Sequence, residues 1–113
     1  VKGLIEKEKS MSVLKVTKAM FETELKTTDK VVMLDFYADW CGPCNMVAPL
    51  VAELAEENPD YCIGKVNVDD EPELARQFGV TTIPTLVILN KGEVVRQSIG
   101  ALPKDKLEAF LKG

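Results

Sequence analysis

Val31-Val32-Met33-Leu34-Asp35-Phe36-Tyr37-Ala38-Asp39-Trp40-Cys41-Gly42-Pro43-Cys44 joins two kinds of local structure, and the junction carries two thiols. Residues 31–37 are too apolar and too rich in β-favouring side chains for a surface helix, so they read as a buried strand. From Pro43 to Asn58 the apolar residues take helical spacing, and Pro43 suits a first turn, where no N–H is needed. Cys41 and Cys44 therefore fall at i and i+3 on the first turn of a helix, where a small disulfide ring can close reversibly. Only the thiolate attacks disulfides. The free amides of a helix N-terminus favour negative charge, and Cys41 sits where they point. Cys44, one turn further in, is expected to be the more buried, resolving thiol.

Two plainer readings compete. A structural disulfide this short removes little unfolded-state entropy compared with a long-loop crosslink. A zinc site needs four ligands, and three cysteines with no histidine supply too few unless a carboxylate or a partner joins them. Redox chemistry outweighs both. An odd cysteine count also fits a reducing compartment better than an extracellular disulfide scaffold. Without histidine, proton transfer near neutral pH falls to a carboxylate, a thiol or water.

Composition narrows the classes further. With 113 residues the chain suits one domain with one core. A net charge of −4 disfavours nucleic acid, since no basic stripe could neutralise phosphates. No apolar run nears the roughly 18 residues that would cross a bilayer, so no membrane association is expected. A cytoplasmic monomer is the expectation. The chain begins at Val1, so an exported form whose leader preceded that residue is the alternative.

Working outward, residues 1–11 read as a charged N-terminal extension and 12–113 as the domain. Strands are expected over 13–16, 30–37, 61–68, 85–89 and 93–99, the last two joined across Asn90-Lys91-Gly92 as a hairpin. Helices are expected over 18–26, capped by Thr17, over 43–58, over 71–78 and over 103–112. Met20, Phe21 and Leu25 form the inner face of the first; Met46, Val47, Leu50, Val51, Leu54 and Ala55 that of the second. Pro49 predicts a bend within it. Strand–helix–strand units followed by a hairpin and a helix give an α/β fold, a mixed sheet with helices on both faces.

Asp35 interrupts an apolar strand, and an isolated buried carboxylate is costly, with desolvation raising its pKa. It is read either as a core aspartate paired with Lys65 on the neighbouring strand or as a general acid/base. Cys62 reads as a small buried hydrophobe, with a regulatory thiol as the lesser alternative. Asp69-Asp70-Glu71 reads as a solvated turn opening a helix.

Trp40-Cys41-Gly42-Pro43-Cys44, the preceding Asp35 and the later Ile83-Pro84-Thr85 together resemble the thioredoxin family over residues 12–113. The resemblance implies a thioredoxin fold, a central mixed five-stranded sheet flanked by four helices. It implies a protein-disulfide reductase working by dithiol–disulfide exchange: Cys41 attacks, Cys44 resolves, Asp35 assists Cys44, and Lys65 lies near Asp35. It also implies a cis Ile83–Pro84 bond packed against the disulfide, and backbone at Thr82 and Ile83 that pairs with an extended target segment. Trp40, Gly42, Pro43, Ile83, Gly100 and Ala101 would form a mostly apolar docking surface beside Pro84. No bound cofactor is implied; electrons would come from NADPH through a thioredoxin reductase, or from a ferredoxin-dependent one, and pass to disulfide-containing proteins. Gly42-Pro43, in place of Gly-His, points to a reductant. Tyr37 stands where many members carry tryptophan, Asn45 where lysine or arginine is frequent, and Thr81-Thr82 where a larger or basic residue precedes a small one. The alternative is a thioredoxin-fold binding or chaperone-like subunit whose cysteines are dispensable.

Overall fold

The computed structural model describes residues 12–113; the proposed N-terminal extension, 1–11, lies outside the described residues. Nine elements follow in chain order: β1 (Val13–Lys15), α1 (Lys18–Met20, running on as a π-helical turn, Phe21–Leu25), β2 (Val32–Tyr37), α2 (Gly42–Glu57), β3 (Cys62–Asn67), α3 (Pro72–Gln77), β4 (Thr85–Asn90), β5 (Glu93–Ile99) and α4 (Lys104–Lys112). The five strands form one sheet in the order β1-β3-β2-β4-β5. β1 and β2 flank β3 in parallel, while β4 pairs antiparallel with both β2 and β5. This is the mixed, helix-flanked α/β architecture expected from the sequence.

The period-2 alternation of β2 sends its side chains to two separate cores. Val32, Leu34 and Phe36 join Phe21, Leu25, Leu74 and Val87 beneath α1 and α3. There Phe78 packs edge-on to Phe21 and tilted against Phe36, with ring centroids 5.4 and 5.5 Å apart. Met33 joins Ile63, Leu86 and Ile88 beneath Val47, Val51 and Leu54 of α2 and Leu107 and Leu111 of α4. A central strand buried on both faces explains why its sequence is a nearly unbroken apolar run.

Element ends follow local chemistry. The Thr17 hydroxyl caps α1 by accepting from the Met20 amide at 3.1 Å, and the Glu71 carboxylate accepts from the Lys18 amide at 3.0 Å. Lys91 and Gly92 both take positive φ, 54° and 83°, as a two-residue hairpin loop demands. Pro49 lies within α2, which is continuous from Gly42 to Glu57. Arg96 of β5 donates to the carbonyls of Phe110 and Leu111, tying the last turn of α4 to the sheet edge.

One expectation needs correcting. Met46 does not belong to the inner face of α2; it is 72% exposed. It directly precedes the buried Val47 on a helix that advances about 100° per residue. The buried stripe of Cys44, Val47, Val51, Leu54 and Ala55 therefore leaves it turned outward.

Asp35 is the charged residue of this central strand, 4% exposed, with Oδ1 buried and without a hydrogen-bond partner. Burial pushes its carboxyl up from an ordinary 3.8 to about 7, against a smaller opposing pull from Lys65. Between those two values the folded chain holds a proton that the unfolded chain has lost. Stability therefore falls as pH climbs from about 4 to 7, and the full cost, roughly 4 kcal/mol for a gap of that size, applies above 7. Asp35→Asn is expected to raise the urea midpoint of the oxidised protein at pH 8, with the gain shrinking toward zero by pH 4. Equal gains at both pH values would contradict this. Gly64 of β3 is required by a close approach: a Cβ there would meet Val16 Cγ2 at 2.5 Å. Gly64→Ala is expected to cost about 1–3 kcal/mol in the same measurement.

Candidate active site

The site forms where β2 ends and α2 begins. Cys41 is the N-cap of α2, with extended backbone at φ −89° and ψ 112°, and its Sγ accepts from the Cys44 amide at 3.2 Å. Gly42 and Pro43 occupy the exposed first turn, and Asn45 fastens the approach by donating to the Asp39 carbonyl at 3.2 Å. The two sulfurs are joined as a disulfide across a Cα–Cα distance of 5.2 Å. Cys44 is the less exposed of the pair, at 2% against 5% for Cys41. Ala38, Tyr37, Val68 and Ile83 pack around them.

A second loop closes over this pair. The Ile83–Pro84 bond is cis. Pro84 is buried, Ile83 half-buried and Thr82 exposed, and the Gly100 amide donates to the Pro84 carbonyl at 2.8 Å. That bond brings Gly100-Ala101, at the end of β5, alongside the Ile83-Pro84 loop. Trp40 is 72% exposed at the rim, where an indole that large is held by one bond, Nε1 donating to Asp69 Oδ2 at 2.9 Å. Together with exposed Met46 and Ile99, it gives this end of the molecule an apolar surface.

Asp35 and Lys65 face each other across the β2–β3 ladder. They line a cavity of about 110 Å³ with Ser12, Val13, Ala48, Val51 and Ala52, beneath α2. The expected Asp35–Lys65 pair is thus a ladder neighbour acting through space, not an ion pair within 4 Å. The Lys65 ammonium instead lies 5.8 Å from the centre of the Tyr37 ring.

Sequence reasoning missed two participants. Asp69, read as part of a solvated turn, is the acceptor that orients Trp40, and its own amide donates to the Asn67 side chain at 2.9 Å. Nothing local signals a bond across 29 positions. Met46 was assigned to the core, and its exposure beside the active-site turn was legible only from helix phase. Cys62 is half-buried against the α1-side core, and burial pushes its thiol up, away from reactivity. Among the described residues no cluster of three or more His, Cys, Asp or Glu side chains could hold a metal ion, and no helix is long and apolar enough to cross a membrane.

Comparison with known proteins agrees with this geometry. The thioredoxin family model matches residues 12–113. A thioredoxin from Porphyra purpurea is 47% identical over 102 residues, covering 89% of this chain and 95% of that protein. One from Mycobacterium tuberculosis is 44% identical over 105 residues, covering 92% and 90%. Among solved structures, a mutant thioredoxin from Halobacterium salinarum superposes with a TM-score of 0.81 at 38% identity, covering 88% of this chain and 87% of that one. A cysteine pair capping a helix, in a chain matched along its whole described length, thus places this protein in the thioredoxin family of thiol–disulfide oxidoreductases.

Proposed function

We propose that residues 12–113 act as a dithiol electron carrier that reduces protein disulfides, with residues 1–11 as an extension outside the reaction. The observation that carries this reading is the Cys41 sulfur at the N-cap of α2, accepting a backbone amide. In the dithiol form the same amide and the helix dipole stabilise the Cys41 thiolate.

The Cys41 thiolate attacks one sulfur of a target disulfide. A Cys41–target bond forms, the target S–S bond breaks, and the departing target sulfur takes up a proton. Cys44 then loses its proton to Asp35 and attacks Cys41. The Cys41–Cys44 bond closes, the Cys41–target bond breaks, and the second target sulfur leaves and takes the proton held by Asp35. The target has gained two electrons from the dithiol and two protons, one from Cys44 by way of Asp35 and one from solvent. NADPH, through a thioredoxin reductase, returns the pair to the dithiol. The reaction needs no bound cofactor, and its setting is the cytoplasm, where such a reductant is maintained.

Trp40, Gly42, Pro43, Ile83, Gly100 and Ala101 form the docking surface for the target, and the backbone at Thr82 and Ile83 pairs with an extended segment of it. Backbone pairing makes little demand on target sequence, which suits a general reductant working as a monomer. Lys65 sets the field in which Asp35 titrates.

Reduction of insulin disulfides in the presence of dithiothreitol tests the activity directly. Cys44→Ser is expected to accumulate a covalent adduct with the target on non-reducing gels, whereas Cys41→Ser forms none. Full activity in the double variant would instead identify a binding subunit. Asp35→Asn is expected to slow resolution of the mixed disulfide by roughly ten- to a hundredfold at pH 7, at or below the low end of general-base effects because water replaces part of the function. Rapid-quench mass spectrometry of the adduct reads that rate; an unchanged rate would remove Asp35 from the mechanism.

A further inference from the structure

Lys65 is drawn in two directions. Its partner across the ladder is Asp35, whose Oδ1 is buried and unbonded. Two positions along β2 is Tyr37, on the same side of the strand by its period-2 alternation. The ammonium sits 5.8 Å from the Tyr37 ring centre, within the range of a cation–ring attraction, and not within 4 Å of the carboxylate. Between them the cavity lined by Asp35 and Lys65 has room for water. The Tyr37 ring in turn packs against the Cys41–Cys44 cluster, so it spans the distance from the disulfide to the lysine.

We infer that Tyr37 is a positioning residue: its ring holds the Lys65 ammonium out of contact with Asp35, so that the lysine biases the carboxyl without locking it as an anion. The consequence for catalysis rests on the reading of Asp35 as the proton acceptor for Cys44. A contact ion pair would hold the carboxylate ionised across the neutral range and leave it a poor proton carrier. Lys65 is the charged group that faces Asp35. β4 presents Leu86, α2 presents Ala48, Val51 and Ala52, and β1 presents Val13, none of them ionisable, and Cys44 of α2 is tied up in the disulfide of the oxidised protein. The tyrosine stays neutral, since burial and then the charge of Asp39 raise its phenol above an ordinary 10.

The test is a ¹³C NMR titration of the Asp35 carboxyl in the oxidised protein, which reads the carboxyl without relying on turnover. Tyr37→Leu removes the ring and is expected to lower the Asp35 midpoint by about half a pH unit, the order set by a partly exposed cation–ring contact. Tyr37→Phe keeps the ring and is expected to leave the midpoint in place. Adding Lys65→Met to each is expected to erase the difference between them. A midpoint unmoved or raised in Tyr37→Leu, or moved equally by Tyr37→Phe, overturns the inference. One measurement needs no variant: in the native protein the Lys65 ε-methylene protons should be shifted upfield by the ring, and ordinary shifts there also overturn it. A normal resolution rate in Asp35→Asn, with the midpoint still moving in Tyr37→Leu, would sink the catalytic reading and leave the positioning role standing.

Discussion

A helix begins with amides that have no partner inside it, and here one of them is satisfied by sulfur. That bond, from the Cys44 amide to Cys41 Sγ, requires Cys41 to be the N-cap, with extended backbone, and Cys44 to be helical three residues later. Much of the surrounding structure serves the requirement. Pro43 gives up no hydrogen bond at the one stretch where none is available. Val47, Val51 and Leu54 then anchor α2 over the sheet, so that its N-terminus cannot drift from the loop containing Pro84.

The same strand that delivers the thiols carries a buried carboxyl that costs stability once it ionises. Its alternation assigns Val32, Leu34 and Phe36 to one face and Met33 and Asp35 to the other, where the carboxyl lies against apolar side chains and Oδ1 has no bonded partner. An amide of equal shape would be the better choice for stability above neutral pH. For the proposed role of proton acceptor for Cys44, a carboxyl that titrates near 7 is the better choice. On that reading, fold stability and proton transfer pull in opposite directions at this one residue.

Most of the architecture was legible because its signals are local and periodic. The unbroken apolar run of β2, the 3.6 period of α2 and α4, the Thr17 cap and the Lys91-Gly92 hairpin each announce themselves over a short stretch of chain, whereas the strand order β1-β3-β2-β4-β5 came only with the structure. The cysteine pair was legible from its place at a strand–helix junction together with the Trp40–Cys44 and Ile83-Pro84-Thr85 motifs, the spacing of a bare C-x-x-C being unspecific. What remained hidden was long-range or a matter of phase. The Trp40–Asp69 bond joins residues 29 apart, and the Lys65–Tyr37 contact joins residues two ladder positions out of register. Met46 was misplaced because an apolar side chain next to a buried stripe looks like a member of it. The π-helical turn at Phe21–Leu25 has no composition signal at all; the chain there is simply an apolar-striped helix with one residue too many per turn.

On the proposed reading of Asp35 as the proton acceptor for Cys44, its place beneath α2 and away from the proposed docking surface matters. A proton acceptor on the open face would compete with the target for the space above Cys41 and would meet bulk water, where its pKa returns to the ordinary range. Beneath α2, in a cavity of about 110 Å³ lined by Val13, Ala48, Val51 and Ala52, the carboxyl is 4% exposed and the cavity has room for water. The half-buried Lys65 lines that same cavity, and its charge opposes the larger effect of burial on Asp35. Burial raises the carboxyl's pKa and the Lys65 charge lowers it by less, so the value of about 7 is the balance between the two.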